Sequence, residues 1–208
     1  MTEILEAIKK AREVSKKRNF EQTFDLIVNL RAIDTRKPEN RINEIVELPY
    51  GIGKEVKVVV FSDEIKELEG VEIIDSKEIE EIAKNKRLAK KLAKNTDFFI
   101  ADPKLMPIVA KNLGKFLAPR GKTPRPIVGD VKKTVENLKK SVRIRIKDAP
   151  VIQCPVGTES MKDEEIEANV IKILKFLEER LPKGKANIKN VIIKLTMGKP
   201  VKVEEVKK

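Results

Sequence analysis

The segment Val56-Lys57-Val58-Val59-Val60-Phe61 is apolar at every position but Lys57. A run of that kind suits a strand covered on both faces, as in a parallel sheet between helices. Strand signals elsewhere have another signature. Phe24, Leu26, Val28, Leu30 and Ala32 share one face of a period-two pattern. Val142, Ile144 and Ile146 alternate with Arg143, Arg145 and Lys147, and Val191, Ile193 and Leu195 alternate with Ile192, Lys194 and Thr196. Such alternation marks strands with one covered face. The chain therefore changes its style of folding after Gly53 and changes back near Ser141.

Between those points helix and strand signals take turns. Asp63 to Glu69 is predicted helical, Val71 to Ile74 a strand, Ser76 to Asn95 a helix or a broken pair, and Asp97 to Ala101 a strand. Helices are predicted at Pro103 to Leu113 and Val131 to Lys140. This order argues an inserted α/β domain, residues 54–141, with a Rossmann-like parallel sheet. Residues 1–53 and 142–208 are then expected to build one α+β split domain, an antiparallel sheet with two helices. Its first helix carries Ile4, Leu5, Ile8, Ala11 and Val14 at helical spacing, with Thr2 as N-cap, and ends in Lys16-Lys17-Arg18, favourable at the negative end of the dipole. Its second carries Ile166, Val170, Ile173, Leu174, Leu177 and Leu181 behind Asp163, Glu164 and Glu165. Phe24 to Ala32 and Ile42 to Leu48, joined by a polar turn, are predicted to pair as a hairpin with Arg31, Arg36, Lys37 and Arg41 at its far edge. Gly51, Gly53 and Ser141 mark the two crossings, where paired connections permit hinge motion.

Composition narrows the partner. Lys and Arg total 45 against 33 Asp and Glu, a formal charge of +12, so nucleic acid is the leading class. Histidine is absent, which excludes His-based triads, His general bases and most zinc sites. No metal site or cofactor is expected. The single Cys154 cannot form an intrachain disulfide and fits a reducing cytoplasm; it reads as a buried small hydrophobe. No apolar run reaches the length of a membrane span, and the first residues enter an amphipathic helix rather than a signal peptide. Abundant Lys and Glu beside only two glutamines, Gln22 and Gln153, is a mild thermophile signal. Aromatic residues are 4% of the chain, so the stacking platforms of single-strand binders are scarce and a structured RNA, met by shape and backbone, is the better fit.

The most suggestive surface is the closing hairpin. Val191 to Leu195 and Val201 to Val203 flank Met197-Gly198-Lys199-Pro200. A core strand should not end in an exposed methionine, because apolar tips are costly without a partner. Gly198 removes a side chain where another backbone could come close, Thr196 adds a hydroxyl, and Lys194, Lys199 and Lys202 supply positive charge. This rim is expected to touch a polyanion. Phe20, just ahead of a strand, divides evenly between a core plug and a contact. Gly51-Ile52-Gly53-Lys54 lacks the spacing of a phosphate loop and reads as a hinge. Lys84, Lys86, Arg87, Lys90, Lys91 and Lys94 read as a solvated helix face with weak phosphate contacts. Asp163, Glu164, Glu165 and Glu167 read as helix capping rather than a metal site.

Leu117-Ala118-Pro119-Arg120-Gly121-Lys122-Thr123-Pro124-Arg125-Pro126 is the most distinctive loop: prolines stiffen it, Gly121 turns it, and three cations charge it. On residues alone it divides evenly between a rigid exposed connection and a functional loop. With Gly114-Lys115-Phe116 before it, it resembles the signature loop of the ribosomal protein L-one family, the stalk proteins beside the tRNA exit site. Lys16-Lys17-Arg18-Asn19-Phe20, Pro155-Val156-Gly157 and Thr196-Met197-Gly198 fall in the order of that family's other hallmarks. The resemblance covers nearly the whole chain and is to the archaeal branch.

The resemblance implies a non-enzymatic constituent of the large ribosomal subunit, cytoplasmic and ribosome-associated, monomeric when free. Its split domain would bind large-subunit rRNA and a similar site in its own mRNA leader. The stalk would assist release of exit-site tRNA, and excess free protein would repress its own translation. Arg18, Asn19, Phe20, Thr23, Gly157, Thr158, Lys194, Thr196, Met197, Gly198 and Lys199 would form the RNA-binding surface. Where bacterial members often carry lysine before the phenylalanine, this chain carries Asn19. Pro119, Arg120, Gly121, Lys122 and Pro124 would be the signature loop. Competing readings are a general structured-RNA chaperone and, in the inserted domain, a nucleotide-using enzyme, which would need a Gly-rich strand-to-helix turn that the sequence lacks.

Overall fold

A computed structural model describes residues 3–37, 40–65, 68, 70–127, 129–146 and 149–203. The chain forms two compact units, residues 1–54 with 140–208, and residues 55–139. The predicted cap Thr2 lies outside the described residues.

The first unit begins with helix α1 (Glu3–Val14), which buries Ala7, Ile8 and Ala11. Val14, assigned by periodicity to the same face, is 43% exposed. Strand β1 (Thr23–Leu30) buries Phe24, Leu26, Val28 and Leu30. Ala32 does not continue the strand: its φ of +55° is left-handed and turns the chain away.

β2 (Asn43–Glu47) does not pair with β1, contrary to the hairpin expected from their adjacency. The reason is that β1 has no free edge. It lies between β8 (Val151–Thr158) and β9 (Ile188–Leu195), antiparallel to both, in a four-stranded sheet of order β10-β9-β1-β8, where β10 is Val201–Val203. β2 instead pairs antiparallel with β7 (Ser141–Arg145), from Asn43 opposite Arg145 to Glu47 opposite Ser141. Helix α6 (Asp163–Arg180) buries Ile166, Val170, Ile173, Leu174 and Leu177 in the same core as α1 and both sheets. Its Glu165 side chain accepts from the Lys162 N–H, capping the start as its acids foretold.

The second unit holds a parallel sheet of order β4-β3-β5-β6, with β3 Val58–Phe61, β4 Glu72–Ile74, β5 Phe98–Ala101 and β6 Arg125–Pro126. Every residue of β3 and β5 is buried, as the continuous apolar run requires. Phe61 and Phe99 stack with centroids 5.8 Å apart. The region 76–95 is a broken pair, α2 (Ser76–Lys84) and α3 (Lys86–Asn95). Asn85 ends the first and caps the second, its Oδ1 accepting from the N–H groups of Arg87 and Leu88. Helices α4 (Met106–Leu117) and α5 (Val131–Lys139) complete the unit. The helix predicted at 63–69 is absent among its described residues, Asp63 to Ile65 and Leu68. Ser62 Oγ accepts from the N–H groups of Glu64 and Ile65, a local turn that competes with a helix.

Candidate nucleic-acid interface

Three segments of the first unit meet at one end of its four-stranded sheet, forming an edge where β1 begins and β8 and β9 finish: the end of α1 with residues 15–20, the β8–α6 loop, and the turn between β9 and β10. Val14, Phe20 and Met197 are three of the large apolar side chains that stay exposed, at 43%, 52% and 60%. Each lies on one of these segments or beside it. Phe20 is therefore not a core plug, and Met197 is exposed as the hairpin pattern predicted. Lys16, Lys17, Arg18, Asn19, Thr196 and Lys199 are exposed around them.

A hydrogen-bond frame sets the edge from within. The Thr196 N–H donates to Thr23 O at 3.0 Å, and Thr196 Oγ1 accepts from the Thr23 N–H at 3.2 Å. The Met197 N–H donates to Gln22 Oε1 at 3.2 Å, and Gln22 Nε2 donates to Lys16 O at 3.4 Å. The Glu159 N–H donates to Gln22 O at 2.9 Å. Arg12 anchors the β8–α6 loop. Its Nε pairs with Asp163 at 2.7 Å, and its two terminal nitrogens donate to Glu159 O at 2.6 Å and Met161 O at 2.7 Å.

Several predicted contact residues are buried. Thr23 and Thr158 are 7% and 0% exposed. Gly157 is buried, and a Cβ there would come within 2.9 Å of Ile166 Cγ1. These three shape the edge from beneath and do not present side chains at its surface. Gly198 also changes meaning. A Cβ on it would lie 2.2 Å from Ser15 Oγ and 3.2 Å from Leu195 Cβ. On the side where a Cβ would point, the space that glycine leaves is filled by the protein's own helix end. Lys194 turns its ammonium to Thr196 O at 3.0 Å, so it braces the turn.

The electrostatics are graded. Glu21 is exposed, and hydrogen bonds from Ser160 and Thr158 hold its carboxyl below the usual range. Burial raises the Asp25 carboxyl, against the pull of Lys194 and Lys54. Burial, with Asp25 nearby, pushes the Cys154 thiol up to about 12, so it stays a protonated core group.

The crossing residues lie inside the first unit. Gly51 and Gly53 have φ of +63° and +69°. Buried Asn169 donates from its amide to Gly51 O at 2.7 Å and Val156 O at 2.9 Å. Ser141 is a paired residue of β7.

The signature loop belongs to the second unit. Gly114 to Leu117 are the last turn of α4, Ala118–Arg120 is a 3-10 turn, and Gly121 is left-handed at φ +70°. Pro119 and Arg120 are exposed and Pro124 is partly so. Lys122, expected to charge the loop, extends its ammonium to Lys94 O at 3.4 Å and to Thr96 O, capping the end of α3. Among the described residues no group of acids, cysteines or histidines could hold a metal ion, and no helix is long and apolar enough to cross a membrane.

The frame residues Arg12 and Gln22 were not among the sequence candidates. Gln22 carried a faint signal, as one of two glutamines in a chain that otherwise avoids them. Arg12 carried none: an arginine on the polar side of a helix is ordinary.

The profile of the Ribosomal protein L1p/L10e family matches residues 8–199, spanning both units. The chain belongs to that family. Among similar proteins, "Large ribosomal subunit protein uL1" of Pyrococcus abyssi is 46% identical over 208 residues, covering 97% of this chain and 95% of that protein. The protein of the same name from Methanocaldococcus jannaschii is 46% identical over 210 residues, covering 98% and 96%. That of Thermococcus kodakarensis is 45% identical, covering 97% and 96%. Membership of the L1p/L10e family makes this a ribosomal protein, the likeness to these archaeal relatives makes it one of archaeal type, and those relatives are large-subunit proteins, not enzymes. It also places the chain with the cytoplasmic ribosome and implies large-subunit rRNA as partner.

Proposed function

We propose that the first unit docks on a folded site in large-subunit rRNA through the edge formed by Phe20, the exposed cations of residues 16–18, and the turn Thr196-Met197-Gly198-Lys199. The observation that carries this reading is the exposure of Phe20 and Met197, at 52% and 60%, on segments bound to one another by Gln22. Two apolar tips held at fixed spacing within a cationic rim suit a shaped RNA surface, where lysines meet phosphates and the tips meet sugar or base faces. A partner recognised by charge alone would not need them.

The second unit supports the further reading of a mobile stalk. The chain passes between the units twice, near residues 54 and 140, and pivoting there would let the bound protein follow tRNA leaving the exit site. The same RNA surface, engaging a similar fold in the protein's own mRNA leader, would make excess protein a repressor. The test is a competition assay with the full chain. An rRNA stalk fragment, the chain's own mRNA leader and a scrambled RNA of equal length compete for it at rising salt. The first two should bind far more tightly than the third and retain that preference at moderate salt. Equal affinity for all three overturns the reading in favour of a general RNA chaperone.

A further inference from the structure

We infer that Gln22 is the positioning residue of this interface: its buried amide sets the spacing between the two apolar tips, Phe20 and Met197. The inference rests on the RNA-binding reading of that edge. Gln22 is 1% exposed, so its side chain is not an RNA contact in the free protein. Both ends of its amide are used, and on different segments. Oε1 accepts from the Met197 N–H at 3.2 Å, and Nε2 donates to Lys16 O at 3.4 Å. The orientation is forced, because an N–H can only donate and a carbonyl can only accept. The main chain of the same residue exchanges hydrogen bonds with the third segment: Glu159 N–H donates to Gln22 O at 2.9 Å, and Gln22 N–H reaches Glu159 Oε2 at 3.4 Å.

One residue therefore joins the end of α1, the β8–α6 loop and the β9–β10 turn. Phe20 precedes it by two residues, and Met197 hangs from the peptide it holds. The remaining bonds of the turn do not replace it. Thr196 ties the strand end to Thr23, and Gly198 N–H donates to Leu195 O at 2.8 Å, but neither reaches Lys16 or the Phe20 segment. Without the Gln22 amide, the Met197 peptide loses its hydrogen-bonded link to Lys16 and the segment that carries Phe20. Ordering such a turn at the moment of docking costs affinity that a preorganised turn does not lose.

The test compares the parent with Gln22→Met, which keeps the length of the side chain and removes both bonds, and with Gln22→Glu, which retains the acceptor for Met197. Three quantities are read: affinity for the rRNA fragment across a salt series, exchange of the Met197 amide in the free protein, and thermal melting. Gln22→Met should bind roughly ten-fold or more weakly. Its salt slope should match the parent's, since no phosphate contact is removed, and its Met197 amide should exchange faster. Gln22→Glu should keep the Met197 amide protected but recover only part of the affinity, because a carboxylate cannot donate to Lys16 O. It also carries the comparison should Gln22→Met fail to melt cooperatively. Parent-like affinity in Gln22→Met overturns the inference, and so does a loss of affinity matched by a loss of salt slope, which would signal general collapse of the site. A parent that binds the fragment no better than a scrambled RNA overturns the RNA-binding reading itself and this role with it.

Discussion

The guanidinium carbon of Arg12 lies 4.9 Å from the centroid of the Phe24 ring, so a helix cation is stacked on the fully buried aromatic near the start of β1. The same guanidinium reaches Asp163, Glu159 O and Met161 O. Its planar fork explains why arginine and not lysine serves here: three nitrogens meet three acceptors while the face covers the ring. Arg12→Met should lower the unfolding free energy by about 2–3 kcal/mol, because it strands two partly buried carbonyls and a carboxylate. The midpoint of urea unfolding reads this directly. A shift within error of the parent would show the loop to be held by other groups.

Gly198 and Ser15 supply a second test. A side chain at Gly198 collides with Ser15 Oγ, which itself donates to Ala11 O at 2.7 Å. Gly198→Ala should destabilise the fold by about 1–3 kcal/mol through overpacking. Ser15→Ala in the same chain should recover part of that loss, a coupling that a double-mutant cycle measures. Additive effects would mean that the two residues do not touch.

Asp25 predicts a pH dependence. Burial raises its carboxyl above the ordinary aspartate range. The fold then binds its proton more tightly than the unfolded chain does. The stability from this group is full below the ordinary aspartate pKa and is lost as pH rises through the raised value. Asp25→Asn cannot ionise, so it should gain on the parent as pH is raised from 3 to 7. Lys194→Met removes a charge that favours ionisation, so the Asp25 carboxyl followed by NMR should titrate at higher pH than in the parent.

Lys122 predicts a result confined to the second unit. Lys122→Met removes the ammonium from Lys94 O and Thr96 O. Amide exchange in α3 should quicken, with a local loss of about 1 kcal/mol. Affinity for the rRNA fragment should be unchanged. A drop in that affinity would show that the lysine meets RNA after all.

How much of this was legible in the sequence depends on what each residue answers to. Continuous burial of Val58 to Phe61 and alternation in Val191 to Leu195 are local consequences of what covers a strand, and both were readable. Pairing is not local. Phe24 to Leu30 and Ile42 to Leu48 look like a hairpin until it is known that residues 151–158 and 188–195 occupy both edges of the first. The exposure of Met197 was foreseeable as an apolar residue in a turn; that of Phe20 was not, because a phenylalanine ahead of a strand serves equally well as a core plug. The inward roles of Thr158, Gly157 and Gly198 were not, because a glycine left open for a ligand and one left open for a neighbouring serine are the same letter. Arg12 and Lys122 escaped for a related reason: a positive charge in sequence shows neither which carbonyls it caps nor whether any charge remains for RNA.

The strand order of the first unit has a consequence for how the chain is made. β1 is synthesised well before both of its sheet neighbours, residues 151–158 and 188–195. The contiguous second unit can close on itself during translation, while β1 waits with two open edges. A message cut short anywhere before residue 188 thus yields a nascent product with a ready template for intermolecular pairing. A chain stopped after residue 139 and before residue 188 would carry that open strand together with a middle already closed.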